Sequence, residues 1–179
     1  MSSYSKSALA GVIAGLLCGI VVGLLYVAVF SQFIVDSINE ISELMSSTYG
    51  VPYYIIRDQL SQIISVVNFI APIAYVIQYS LIGALLGLLQ NYLMLRLKTG
   101  LLTSIVLTGV IYVVVFGVML LLVVVALRDP LLTLVLRKLG SLIYAYLVMS
   151  GILFTLFLSI VHLVRGPWRG ILEAKPKEF

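Results

Sequence analysis

Four long apolar runs, at residues 8–30, 66–89, 101–127 and 140–164, alternate with more polar segments along this chain. Each run exceeds the ~20 apolar residues that a helix needs to cross the hydrocarbon core of a bilayer. All Asp, Glu, Lys and Arg residues lie outside these runs. The pattern predicts an all-α fold, an integral membrane four-helix bundle whose four runs are transmembrane helices.

The segment between the first two runs, residues 31–65, has a different pattern, because polar and apolar residues are mixed in it. Two sets of apolar residues recur there at helical spacing: Ile34, Ile38, Ile41 and Met45, then Ile56, Leu60, Ile63 and Val67. Gly50 is a good helix stop and Pro52 a good helix start. We predict an amphipathic helical hairpin between helices 1 and 2, which lies on the membrane surface or caps the bundle.

Composition supports a membrane environment for the whole chain, residues 1–179, as a single domain. The chain is 62% hydrophobic and only 10% charged, whereas a soluble domain carries about 25% charged residues. The formal net charge is +4, but the basic residues lie at the ends of the apolar runs, as membrane orientation requires. The expected partners are therefore the lipid bilayer and other membrane protein subunits or a second copy, with no nucleic acid.

The distribution of Lys and Arg predicts how the chain crosses the membrane. If the N-terminus is inside, the inner segments hold Lys6, Arg96, Lys98, Arg165, Arg169, Lys175 and Lys177, and the outer segments hold Arg57, Arg128, Arg137 and Lys138. Because cytoplasmic segments are enriched in basic residues, this excess predicts a multi-pass protein of the cell membrane with both termini cytoplasmic. The hairpin is then extracytoplasmic, and residues 165–179 form a cytoplasmic tail.

Glycine recurs at every fourth position of the first run, at Gly11, Gly15, Gly19 and Gly23. Such spacing leaves one side of a helix bare, so that another backbone can approach closely. A shorter pair of the same kind occurs in the second run, at Gly83 and Gly87. Three interpretations stay open: the first helix packs inside its own bundle, with the second pair as a possible partner; its bare side receives another protein chain; or that side faces a ligand or a pore.

Weakly polar residues form a stripe on each of the other three runs. The candidate seam consists of Asn68, Tyr75, Tyr79, Thr108, Tyr112, Tyr144, Thr155, Ser159 and His162. Hydrogen bonds between helices explain such a seam, and the alternative is a weakly polar path for a solute. Gln78 lies off the stripe of the second run, so its amide needs a partner elsewhere. Pro72 is expected to kink that helix and to free the carbonyl of Asn68.

Residue chemistry points away from catalysis. No Asp, Glu, Lys or Arg lies within a run, which argues against proton coupling and charged substrates, since transporters of these usually carry one there. His162 and Cys18 are the only residues of their types, and a metal or haem site needs a second strong ligand. We predict no catalytic residue, no cofactor and no metal site.

The leading hypothesis is a non-catalytic membrane protein that acts as a small accessory or structural subunit of a larger complex, packing through its glycine-rich helix. The alternative is a homo-oligomeric channel or facilitator for small neutral solutes, since a passive pore requires no ionisable group in the membrane. A third hypothesis is a membrane-embedded enzyme or haem subunit that uses His162, the second ligand coming from a symmetric dimer.

Overall fold

The computed structural model describes residues 3–127, 130–164, 166, 168 and 172. All regular secondary structure in these ranges is helical. Four helical segments are long and apolar enough to cross a membrane: Tyr4–Val29, Tyr53–Arg96, Leu101–Leu120 and Leu142–Leu163. The predicted all-α fold and the four apolar helices are thereby confirmed.

The first helical run is much longer than one membrane span. Helix α1 covers Ser3–Leu25, a π-helical turn covers Tyr26–Phe30, and helix α2 covers Ser31–Tyr49. The residues on either side of the π turn keep right-handed helical dihedral angles, so the backbone is helical throughout. At 1.5 Å per residue this run is about 70 Å long. The first span therefore continues directly into α2, without the boundary at residue 30 that the hydrophobic pattern predicts.

Helix α3, Tyr53–Arg96, is a single helix of 44 residues. The chain enters it through a turn at Gly50, whose φ of 68° suits a residue without a side chain. Pro72 lies inside α3 without ending it. Residues 53–65 belong to the same helix as span two, in agreement with the apolar spacing that runs on to Val67. One predicted boundary is absent, because residues 90–96 are also helical and only residues 97–100 connect α3 to α4.

The last two helices form a second antiparallel pair. Helix α4 covers Leu101–Leu127, the bounds that its apolar run predicts, and helix α5 covers Pro130–Leu163. Residues 131–139, which lie outside the predicted apolar runs, are thus part of α5, whose backbone has no break before residue 140. Proline suits the first position of a helix because that position has no intrahelical donor to lose. The side chains of residues 130–141 and most of the predicted tail lie outside the described residues.

The four apolar helices enclose one core. Helix α1 packs along α3 over most of its length, α4 pairs with α5, and α5 also contacts α1. The core is filled by side chains that are almost completely buried: Ala14, Cys18 and Val22 of α1, Ile105 of α4, and Phe154 and Leu158 of α5. Helix α2 extends beyond this core and packs mainly against the first part of α3.

Candidate functional site

The closest helix contact in the molecule lies between the glycines of α1 and the backbone of α3. A methyl group on Gly11 would collide with the carbonyl oxygen of Gly83, and one on Gly15 with the carbonyl oxygen of Tyr79. The contact is reciprocal, because a methyl group on Gly83 would collide with the carbonyl oxygen of Gly11. Backbone therefore touches backbone along this face.

The contact loosens gradually toward the π turn. A methyl group on Gly19 would lie 2.7 Å from the Cα of Val76, and one on Gly23 would lie 3.0 Å from the Cα of Pro72. All four glycines thus face α3 of their own chain, and Gly87 faces Ser7 of α1 in the same way. This arrangement agrees with the interpretation in which the first helix packs inside its own bundle. Helix α3 fills the groove that a second chain would need.

A cluster of five tyrosines, which we call the tyrosine cluster, extends from the core, where two of them are buried, to its surface. Its members are Tyr26, Tyr75, Tyr79, Tyr112 and Tyr146. The ring centroids of Tyr26 and Tyr75 are 5.4 Å apart, and those of Tyr79 and Tyr112 are 6.5 Å apart. Tyr146 lies 6.3 Å from Tyr75 by the same measure. The π turn, α3, α4 and α5 therefore meet at one set of aromatic rings.

The hydroxyl groups of this cluster form an ordered chain. The Tyr79 and Tyr112 hydroxyls are 3.1 Å apart, and the Tyr112 hydroxyl lies 3.1 Å from the Ser150 Oγ. Ser150 donates its only proton to the carbonyl of Leu147 at 2.8 Å. Tyr112 must then donate to Ser150, and Tyr79 to Tyr112. Each hydroxyl has a partner inside the protein, as buried polar groups require.

The first and last helices are joined by two further polar contacts at the same level. Tyr146 donates to the carbonyl of Val22 at 3.2 Å. The Cys18 thiol lies 3.6 Å from the carbonyl oxygen of Ser150, which is a weak hydrogen bond for a thiol. Both contacts use carbonyls that already belong to a helix. They fix α5 against α1 and complete a core in which every spanning helix is tied to another.

The predicted seam does not form a single line through the protein. Tyr75, Tyr79 and Tyr112 belong to the tyrosine cluster, whereas Tyr144 is exposed and Asn68 is half-buried farther along α3, where its Oδ1 has no hydrogen-bond partner among the described residues. The remaining hydroxyls are bonded to carbonyls of their own helices: Thr108 to Ser104, Thr155 to Gly151 and Ser159 to Thr155.

Thr155 and Ser159 face an outer groove between α4 and α5 instead of the centre of the bundle. The groove has a volume of about 510 Å³ and is lined mainly by apolar side chains, together with Gly109 and Gly151. The core face of α5 carries Tyr146, Ser150, Phe154 and Leu158. Thr155 and Ser159 are therefore rotated away from the face of α5 that meets α1 and α3, unlike His162 of the same predicted stripe.

His162 pairs with a residue of α3 at the opposite end of the core from α2. Its Nε2 lies 3.1 Å from the Oε1 of Gln90, and the Gln90 side chain is fully buried. The Trp168 Nε1 donates to the carbonyl of Val161 at 3.1 Å, near the end of α5. Within the described residues no group of three or more His, Cys, Asp or Glu side chains is placed to hold a metal ion.

Sequence patterns missed several buried polar residues, including Asn91 and Ser150. Asn91 follows the last apolar residues of its run, which is why the hydrophobic pattern assigns it to a loop. A usable signal existed on α5, where Tyr146, Ser150 and Phe154 are spaced by four residues. That spacing puts them on one helical face.

No protein family model, curated protein or solved structure matches this chain. The arrangement brings together aromatic rings, hydroxyls and amides, whose chemistry is packing and hydrogen bonding. These contacts join helices to one another.

Proposed function

We propose that this protein is a non-catalytic membrane protein that serves as a small structural or accessory subunit of a larger membrane assembly. The observation that carries the proposal is the length of the first two helical runs. Helix α3 alone measures about 66 Å at 1.5 Å per residue. That is about twice the ~30 Å thickness of the hydrocarbon core, so part of the helix extends outside the membrane.

The projecting part is the helical hairpin formed by α2 and the beginning of α3, residues 31–65. Helix α2 has 19 residues, which corresponds to about 28 Å of projection. Because both termini are proposed to be cytoplasmic, the hairpin stands on the extracytoplasmic side. A two-helix projection of this size presents a surface to a partner at some distance from the lipid headgroups.

The surface of the hairpin is acidic and carries aromatic residues at its tip. Four acidic side chains, Asp36, Glu40, Glu43 and Asp58, accompany the single basic side chain of Arg57, and all five are exposed. Near the turn, Tyr49 is 58% exposed and Tyr54 is 65% exposed. Tyrosine is enriched at protein interfaces, and opposite charge guides association. These features support a partner with a basic extracytoplasmic surface.

The core supports a structural role as well. Hydroxyls of the tyrosine cluster donate to one another and to main-chain carbonyls, which leaves them engaged in holding helices together. No observation favours the alternative of a channel for neutral solutes. The predicted seam residues lie partly in the core, partly at the outer groove and partly at the surface, so they do not line one continuous path. We therefore retain the subunit as the function that the geometry supports best.

Purification from native membranes tests the proposal. The tagged protein is solubilised gently, and co-purifying proteins are identified and their stoichiometry is measured. We expect a reproducible set of larger membrane subunits with the wild type, and loss of that set when Asp36→Lys and Glu43→Lys reverse two hairpin charges. Lys98→Glu, at the opposite end of α3, is the matched control and should keep the set. A wild-type protein that elutes alone would contradict the proposal.

A further inference from the structure

Gln78 carries an amide group at the centre of an apolar helix, on the side that faces lipid. It lies midway along the run at residues 66–89, and its side chain is exposed. Within the described part of the chain its amide makes no hydrogen bond. An amide without a partner in hydrocarbon costs several kcal/mol, because no water is present to replace the missing bonds.

The face around Gln78 is free along much of α3. Exposed residues follow one another at alternating intervals of three and four positions, namely Ala74, Gln78, Leu81, Leu85, Leu88 and Tyr92. Leu81 is 66% exposed and Leu85 is 67% exposed. Any lipid-facing helix shows such spacing on its exposed side, but the same spacing is also the seam of a left-handed helix pair. What distinguishes this face is the unpartnered amide at its middle.

We propose that a second copy of this chain covers this face, with the two Gln78 amides hydrogen-bonded to each other across a two-fold axis normal to the membrane. An amide is both donor and acceptor, so an identical side chain at the same depth satisfies it. Two copies inserted in the same direction place their Gln78 residues at equal depth automatically. A single polar residue within an apolar seam also fixes the register of the pair.

Two neighbouring features favour close approach of the second copy. Ala74, one turn before Gln78, is small and allows the backbones to come near each other. A groove of about 310 Å³ continues from Gln78 toward the π turn, with Tyr26, Tyr75 and Ile70 among its lining residues. Side chains of the second copy can enter this groove. This face is distinct from the hairpin. The experiments can therefore contradict the proposed dimer without contradicting the proposed larger assembly, and the reverse.

Disulfide formation in liposomes that contain only this protein tests the dimer. Leu81→Cys is introduced together with Cys18→Ala, and the protein is oxidised after reconstitution. We expect a disulfide-linked dimer. Val114→Cys in α4 is the matched control, because Val114 is 55% exposed and lies two residues from Tyr112, whose hydroxyl bonds to Tyr79 at a similar depth. Equal cross-linking at both positions, or none at Leu81→Cys, would overturn the proposal.

Substitution of the amide gives a second, independent test. Gln78→Leu should weaken association by about five- to thirty-fold, the equivalent of one interhelical amide pair, measured by energy transfer between labelled copies in liposomes. Gln78→Asn should retain most of the association. Thermal unfolding of the monomer in detergent should be the same for all three proteins, since the Gln78 side chain is exposed and makes no hydrogen bond within the described part of the chain. An unchanged association constant for Gln78→Leu would contradict the proposal, even if larger subunits co-purify from native membranes.

Discussion

The α1–α3 and α4–α5 pairs both contain glycine where the helices approach most closely, yet the atoms that meet there differ. Between α1 and α3, a methyl group on Gly15 would strike a main-chain carbonyl. Between α4 and α5, a methyl group on Gly109 would strike the Oγ1 of Thr155, and one on Gly151 would strike a methyl group of Val113. One contact is made by backbone, the other by side chains.

This difference determines how each pair responds to change. A side chain can rotate to another staggered conformation at modest cost, whereas a helical carbonyl moves only if its helix moves. The α1–α3 pair is therefore rigid in register and spacing, and it holds the two longest helical runs together. The α4–α5 pair has freedom to adjust, because the colliding atoms belong to the side chains of Thr155 and Val113.

The largest expected effect is at Gly15. Gly15→Ala should lower the free energy of unfolding by about 3 kcal/mol, because the added methyl group meets a carbonyl that cannot move aside. Gly23→Ala should cost less, since its methyl group would lie 3.0 Å from the Cα of Pro72. Unfolding in a denaturing detergent series measures both. Leu24→Ala, at an exposed position of α1, is the control, and equal loss in Gly15→Ala and Leu24→Ala would refute the backbone contact.

A smaller effect is expected at Gly109. Gly109→Ala should cost about 1 kcal/mol, because the Thr155 side chain can turn away from the new methyl group. Adding Thr155→Ala removes the colliding hydroxyl, so the double variant should be more stable than the sum of the two single changes predicts. The same detergent series provides the comparison. Strict additivity would mean that Gly109 and Thr155 do not share the contact described here.

An effect similar in size to that at Gly109 is expected in the tyrosine cluster, which links the two pairs. Tyr112→Phe removes the hydrogen bonds to Tyr79 and Ser150 while keeping the ring. Since interhelical hydrogen bonds in membranes contribute ~0.6 kcal/mol each, we expect a loss of about 1 kcal/mol. Tyr144→Phe, on the same helix as Ser150 but exposed, should leave stability unchanged. A loss of similar size in both variants would show that the hydroxyl chain adds nothing specific.

The hydrophobic pattern predicts the number of spans and their helical nature because lipid imposes a minimum length of apolar sequence. It fails at helix ends for a related reason. A helix that leaves the membrane changes its polarity without changing its backbone, so the pattern suggests boundaries near residues 30 and 89 where the helices in fact continue. The spacing of apolar residues does not predict the π turn at Tyr26–Phe30.

Glycine spacing shows a similar limit. The intervals of four predict which side of α1 is bare, since they follow from helical periodicity. They carry no information about which helix covers that side, because α3 of the same chain and a helix of another chain would both accept it. On α5, the predicted seam residues Thr155 and Ser159 face the outer groove. Their hydroxyls bond to carbonyls of their own helix, so they need no hydrogen-bond partner on a neighbouring helix.

Contacts between main-chain protons of α1 and α3 test the central claim most directly. In a micelle or nanodisc sample, nuclear Overhauser effects between the Hα protons of Gly11 and those of Gly83 and Gly87 report this packing. An isotope-labelled chain diluted into unlabelled chains separates contacts within one molecule from contacts between two. We predict that these effects persist at full strength on dilution. Their absence, or their appearance only between labelled and unlabelled chains, would contradict the packing of α1 against α3 of its own chain.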